Sequence, residues 1–159
     1  MSSVKPIPEG YHSITPYLCI KDAAKALDFY KEAFGAQELF RMAQPDGKIG
    51  HAEIQIGDSR LMIADECPDM AFRSPQAYGG SPVGIHLYVE DVDATVNMAL
   101  VAGAKLVKQV NDQFYGDRNG TVEDPFGHRW FISTHIEDLS QEEICSRLEA
   151  QRAAGGTNA

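Results

Sequence analysis

The chain writes nearly the same segment twice, about seventy residues apart, and this duplication limits its possible architecture more than any other feature. Thr15-Pro16-Tyr17-Leu18-Cys19-Ile20-Lys21-Asp22 returns as Gly84-Ile85-His86-Leu87-Tyr88-Val89-Glu90-Asp91, so that Leu18 matches Leu87, Ile20 matches Val89 and Asp22 matches Asp91. Phe34-Gly35-Ala36 returns as Ala102-Gly103-Ala104, Gly50-His51-Ala52-Glu53 as Gly120-Thr121-Val122-Glu123, and Gly57 as Gly127. Two copies of one supersecondary unit bury their apolar faces by packing together. A functional site is expected where the copies face each other.

Each copy reads as strand, helix, strand, strand, strand. The first strand, near 13–20, alternates Leu18 and Ile20 against Thr15, Tyr17 and Cys19. Pro16 lacks an amide donor and belongs where a ladder bond is absent. Asp22 is the expected helix cap and Gly35 the stop, with Ala23, Leu27, Tyr30 and Phe34 forming one apolar stripe between them. Strands near 38–43, 49–56 and 60–64 follow, the first two joined through Pro45-Asp46-Gly47. The second copy has its strand at 83–89, its helix at 92–102, and strands near 105–109, 118–123 and 129–134, the last two joined by Asp124-Pro125-Phe126-Gly127. Residues 66–82 show no periodicity and exceed an ordinary loop, and segments of that kind are commonly functional or disordered. The expected organisation is a loose arm over 1–12, one domain of two modules (13–65 and 83–135) joined by the 66–82 loop, and a helix and tail over 136–159. Ser140 and Glu143 form a capping box that opens this last helix.

At 159 residues and 43% hydrophobic, the chain is long enough to bury a core without covalent staples. Cys19, Cys67 and Cys145 are odd in number and without CxxC spacing, the pattern of reduced thiols in a cytoplasmic protein. No apolar run approaches the ~20 residues of a membrane span. A formal charge of −9 disfavours nucleic acid as a partner, because phosphates would be repelled.

The segments ITPYLCIKDAAKALDFYKEAFGA, VGIHLYVEDVDATV and YGDRNGTVEDPFGHRWFISTH resemble the vicinal oxygen chelate superfamily of glyoxalases, bleomycin-resistance proteins and extradiol dioxygenases. The resemblance covers about residues 13–135, and DPFGHRW is most similar to the PhnB-like branch. It implies an α+β fold of two βαβββ modules whose curled mixed sheets surround a central cavity, often completed in a homodimer. It also implies positions for a metal, taken from the first and last strands of each module. Counted from the shared motifs, these are Thr15, Leu61, Gly84 and Phe131. None offers the imidazole, carboxylate or thiolate that a divalent ion prefers, so no metal is expected at the family positions.

With Leu18, Ile20, Leu87 and Val89 turned to the helices, alternation turns Tyr17, Cys19, His86 and Tyr88 to the cavity. Leu61 and Phe131 are expected to join them as ligand-pocket residues, with the alignment setting their phase. His51, Glu53 and Glu123 are the candidate acid/base groups, since an imidazole beside a carboxylate can move a proton. A polar strand surface, or service to the Asp124 turn, is the commoner reason for such residues. Arg118 is a candidate anion contact, an ion pair with Asp117 or Glu123 being its alternative. Trp130 is expected in the core and His128 in an exposed turn.

Two functions remain in view. The first is a metal-free binding module that holds a small organic molecule between the modules of a homodimer. The second is a lyase, isomerase or dioxygenase-like enzyme that uses His51, Glu53 and His86 as acid/base groups or as a displaced metal site. No glycine-rich turn opens a helix after a strand, so a dinucleotide-type cofactor has no support.

Overall fold

The computed structural model describes residues 4–155, and two four-stranded mixed sheets carry the fold. The first module runs β1 (Tyr17–Ile20), α1 (Ala23–Phe34), β2 (Gln37–Ala43), β3 (Ile49–Ile56) and β4 (Ser59–Asp65), in the sheet order β1-β4-β3-β2. After the connecting segment, the second runs β5 (Gly84–Tyr88), α3 (Val92–Ala102), β6 (Lys105–Asp112), β7 (Asp117–Glu123) and β8 (Arg129–His135), in the order β5-β8-β7-β6. The first strand of each module pairs in parallel with its last, and the other pairings are antiparallel. The duplicated βαβββ pattern is therefore realised element for element. Neither sheet closes into a barrel.

A single core joins the modules. α1 packs on the first sheet and against α3, and Tyr30 and Phe34 of α1 lie on Trp130 of β8, with ring centroids 5.2 and 4.5 Å away. Leu18, Ile20, Ala52, Ile54, Leu61 and Ile63 from the first sheet, with Val122, Trp130 and Ile132 from the second, fill the helix-covered faces. Asp124 locks this junction. One of its oxygens accepts from the Tyr30 hydroxyl at 2.6 Å and the Trp130 indole at 2.9 Å, while the other accepts the backbone N–H groups of Phe126 and His128. His128 is buried as well, its Nε2 3.1 Å from the Cys19 carbonyl. The exposed turn expected for it is absent because the turn folds inward onto the first module.

The helix caps differ between copies. Asp91 accepts the Ala94 N–H and caps α3, but Asp22 makes no such bond and sits in the left-handed region at φ 69°. Asp65 replaces it, accepting the N–H groups of Asp22 and Ala23 with one oxygen and that of Ile49 with the other. Residues 66–82 are also more regular than expected. They hold a 3-10 turn (Pro68–Met70), an isolated bridge between Cys67 and Phe72, and α2 (Pro75–Tyr78). The capping box at Ser140 forms and opens α4 (Gln141–Ala153), which buries no residue and is tied down through Arg147 to Glu137 at 3.0 Å. No helix of the described residues is long and apolar enough to cross a membrane.

Candidate functional site

The face of each sheet turned away from the helices carries the polar and aromatic groups. On the first sheet the register places Tyr17 beside Met62, Met62 beside Glu53, and Arg60 beside Gln55. The Tyr17 hydroxyl lies 3.0 Å from His51 Nδ1, and His51 Nε2 lies 3.3 Å from Glu53 Oε1. A proton on Nε2 satisfies both contacts: the tyrosine donates to the imidazole, which donates to the carboxylate. Burial, and then Cys19, raises the Tyr17 phenol above its ordinary range. Glu53 is held below the usual carboxylate range, first by the Tyr11 hydroxyl lying against it, short of full hydrogen-bond geometry, and then by His51. This Tyr–His–Glu chain can accept or donate a proton at a group bound beside Tyr17.

On the second sheet His86 and Tyr88 stack with ring centroids 4.7 Å apart. The Tyr88 hydroxyl donates to the buried Asp117 at 2.9 Å, and Asp117 also holds His135 at 2.7 Å. The tyrosine phenol is raised chiefly by this carboxylate. Phe131 is 40% exposed and covers Gly84 so closely that a Cβ there would fall 2.3 Å from its ring.

Two clefts flank the seam where β1 and β4 meet β5, and both are bordered by Pro16, Ile85 and His86. One, of about 530 Å³, lies under the connecting segment, where Tyr17, Cys19, Phe72, Tyr78 and His86 form its walls. Phe72 packs on Tyr17 with ring centroids 5.0 Å apart, which draws the segment over the strand. Glu66 fixes the segment's base by accepting the N–H and hydroxyl of Ser74. Cys19 is buried beneath it, a position that pushes its thiol up to about 11, with Glu66 and Asp65 adding to the effect. The other cleft, of about 520 Å³, is bordered by His12, Thr15, Arg60, Leu61, His86 and Tyr88.

Three expectations need correction. Leu61 is not on the open face: it borders a cleft but is 4% exposed and belongs to the helix-covered core. Its partner Ile54 is matched by Val122, the partner of Trp130, so Leu61 corresponds to Trp130 and Met62 to Phe131. Aligning Gly57 with Gly127 misplaces β4 by one residue because the two-residue turn after β3 is matched by a five-residue turn after β7. A slip of one residue inverts the face of every side chain in a strand. Likewise Glu53 corresponds to Thr121, while Glu123 stands at the end of β7, 3.5 Å from Arg129 and on a different sheet from His51. Arg118 is occupied: it lies beside Thr134 on the helix-covered side, held by Asp93 at 2.7 and 2.9 Å and by Asp112 at 2.8 Å.

The register also decides how the family metal positions are filled. They become Thr15, Met62, Gly84 and Phe131, which supply a hydroxyl, a thioether, no side chain and a phenyl ring. The ring occupies the space a ligand at Gly84 would need. Among the described residues no three His, Cys, Asp or Glu side chains are grouped to hold an ion. The residues present do not fit the metal of the fold family.

The sequence reading omitted Tyr11, Arg60 and Asp117. Tyr11 and Arg60 were hidden because their contact joins the arm to a strand distant in sequence. The signal for Asp117 was its position on the same strand face as Thr121.

A model of the Glyoxalase/Bleomycin resistance protein/Dioxygenase superfamily matches residues 10–132. The chain belongs to this family. An uncharacterized protein of Mycobacterium tuberculosis is 43% identical over 142 residues, 87% of this chain and 84% of its own. The X-ray structure of an Arabidopsis thaliana gene product is 28% identical with a TM-score of 0.63, covering 77% of this chain and 98% of that one. A Bacillus cereus structure described as a putative 3-demethylubiquinone-9 3-methyltransferase, PhnB protein, has a TM-score of 0.61 at 16% identity, covering 77% and 99% of the two chains. That likeness shows the shared fold.

Proposed function

We propose that this protein is a metal-free member of its superfamily that binds a small organic molecule at the β1/β5 seam, in a homodimer and in the manner of the PhnB-like and bleomycin-resistance branches. The observation carrying this reading is the replacement of the family's metal positions by Met62, Gly84 and Phe131 beside clefts that keep aromatic walls. Apolar walls with a few placed polar groups are the usual build of a small-molecule site. A second chain is part of the reading because Phe40, Met42, Tyr88, Val107 and Phe131 are each at least 40% exposed, a surface that a lone soluble chain seldom leaves in water.

Calorimetric titration with 2-naphthol, a neutral aromatic probe, tests the binding. Tyr88→Ala should weaken it by about 1–3 kcal/mol through lost burial. An unchanged affinity would remove the seam from the account.

The Tyr17–His51–Glu53 chain supports a second reading, acid/base catalysis on the bound molecule. The two readings separate on one variant. A binding protein should lose little affinity on Glu53→Gln, whereas an enzyme should lose roughly 10²–10⁴ in turnover with binding preserved.

A further inference from the structure

Arg60 stands apart from the other arginines of the chain. Arg41, Arg118, Arg129 and Arg147 each lie within salt-bridge distance of a carboxylate, as expected in a protein with nine excess negative charges. Arg73 and Arg152 have no such partner among the described residues but are exposed, where water serves them. Arg60 is half-buried, and no carboxylate lies within 4.0 Å of it among the described residues. Its Nη1 donates to the Glu9 carbonyl at 3.2 Å, while its buried Nε has no acceptor among the described residues. A guanidinium N–H withdrawn from water and left unpaired costs more than an exposed one.

The surroundings hold this group in place and leave it lining the cleft. The Tyr11 ring covers one side of the guanidinium, 4.7 Å from its central carbon. Gly10 closes over the same group at φ +81°, and a Cβ there would fall 2.2 Å from Nη2. The arm, expected to be loose, thus clamps the arginine in one orientation. Arg60 borders the 520 Å³ cleft with His12, Thr15, His86 and Tyr88, and the same cleft has apolar walls in Ile85 and Leu87. Asp58 is the one carboxylate on the cleft wall among the described residues, and it is bonded to the Ser59 hydroxyl.

We infer that Arg60 is the anchor for an organic anion, a carboxylate borne on an apolar body, in the cleft between β4 and β5. This rests on the seam being a small-molecule site and adds the chemical class of what it takes. The planar fork of a guanidinium matches the two oxygens of a carboxylate, and a pre-oriented fork loses little freedom on binding. An acidic protein repels anions over most of its surface, so one clamped arginine bordering a cleft, with Glu53 in its field but no carboxylate in contact, selects for them.

Calorimetry with two probes of one shape tests the inference: 2-naphthoate, an anion, and 2-naphthol, neutral at pH 7. The unmodified protein should bind naphthoate at least tenfold more tightly. Arg60→Gln should reduce naphthoate to the level of naphthol and leave naphthol unchanged, and Arg60→Lys should recover part of the difference. Naphthoate no tighter than naphthol in the unmodified protein would overturn the anion anchor while leaving the binding seam intact. That comparison requires no variant to fold. Failure of both probes would overturn the seam and the anchor with it.

Discussion

At the scale of single residues, the most consequential side chain is Asp124, which the sequence presents only as the start of a turn. Its two oxygens collect four donors from three places: α1, the turn itself and β8. Asp124→Ala leaves the Tyr30 hydroxyl and the Trp130 indole buried without an acceptor, and should destabilise the protein by about 3 kcal/mol, read as a lower urea midpoint. Tyr30→Phe, which removes one donor and leaves the carboxylate served by three others, should cost less. Residue-scale reading of the faces succeeded where alternation alone decides them: Tyr17, His86 and Tyr88 follow from Leu18, Ile20, Leu87 and Val89 turning to the helices, and His51 and Glu53 from Ala52, Ile54 and Ile56 doing so. It failed at Leu61, where the face depended on counting across two turns of different length. It also missed Arg60 and Tyr11, whose relation exists only once the arm crosses the sheet.

Among elements, the sheets and long helices were legible because their apolar periods are unbroken, whereas the connecting segment was not. Its short helical turns depend on one carboxylate, Glu66, which Ser74 holds below its usual range through hydroxyl and N–H. Glu66→Ala should speed tryptic cleavage after Arg73 while leaving the global unfolding midpoint nearly unchanged, since local opening and global unfolding are separate events. The end of β8 carries a pH dependence. Asp117 and then Asp138 raise the His135 imidazole above its ordinary value. A group whose folded value is raised contributes stability that is fully present below its unfolded value near 6.5 and is lost as pH rises through the folded one. His135→Gln should therefore lower the urea midpoint most near pH 5.5, and the difference from the unmodified protein should close by about pH 9. A constant difference across that range would show that shape, rather than charge, holds the contact.

For the whole molecule, the duplicated sequence made the two-module architecture readable and pointed to the seam, because a repeat leaves few ways to pair its copies. It did not reveal that Trp130 and Asp124 of the second module would complete the core of the first, since no local pattern encodes a contact between copies. On the proposed reading a second chain covers the open faces of both sheets. Light scattering at micromolar concentration should give twice the mass of the chain, and the single-chain mass would contradict the proposed homodimer. The central claim is organic-ligand binding without metal. Its most direct test is calorimetric titration with 2-naphthol before and after exhaustive dialysis against EDTA. The account predicts the same affinity in both titrations. Binding lost on chelation and restored by one equivalent of zinc, nickel, iron or manganese per chain would contradict it.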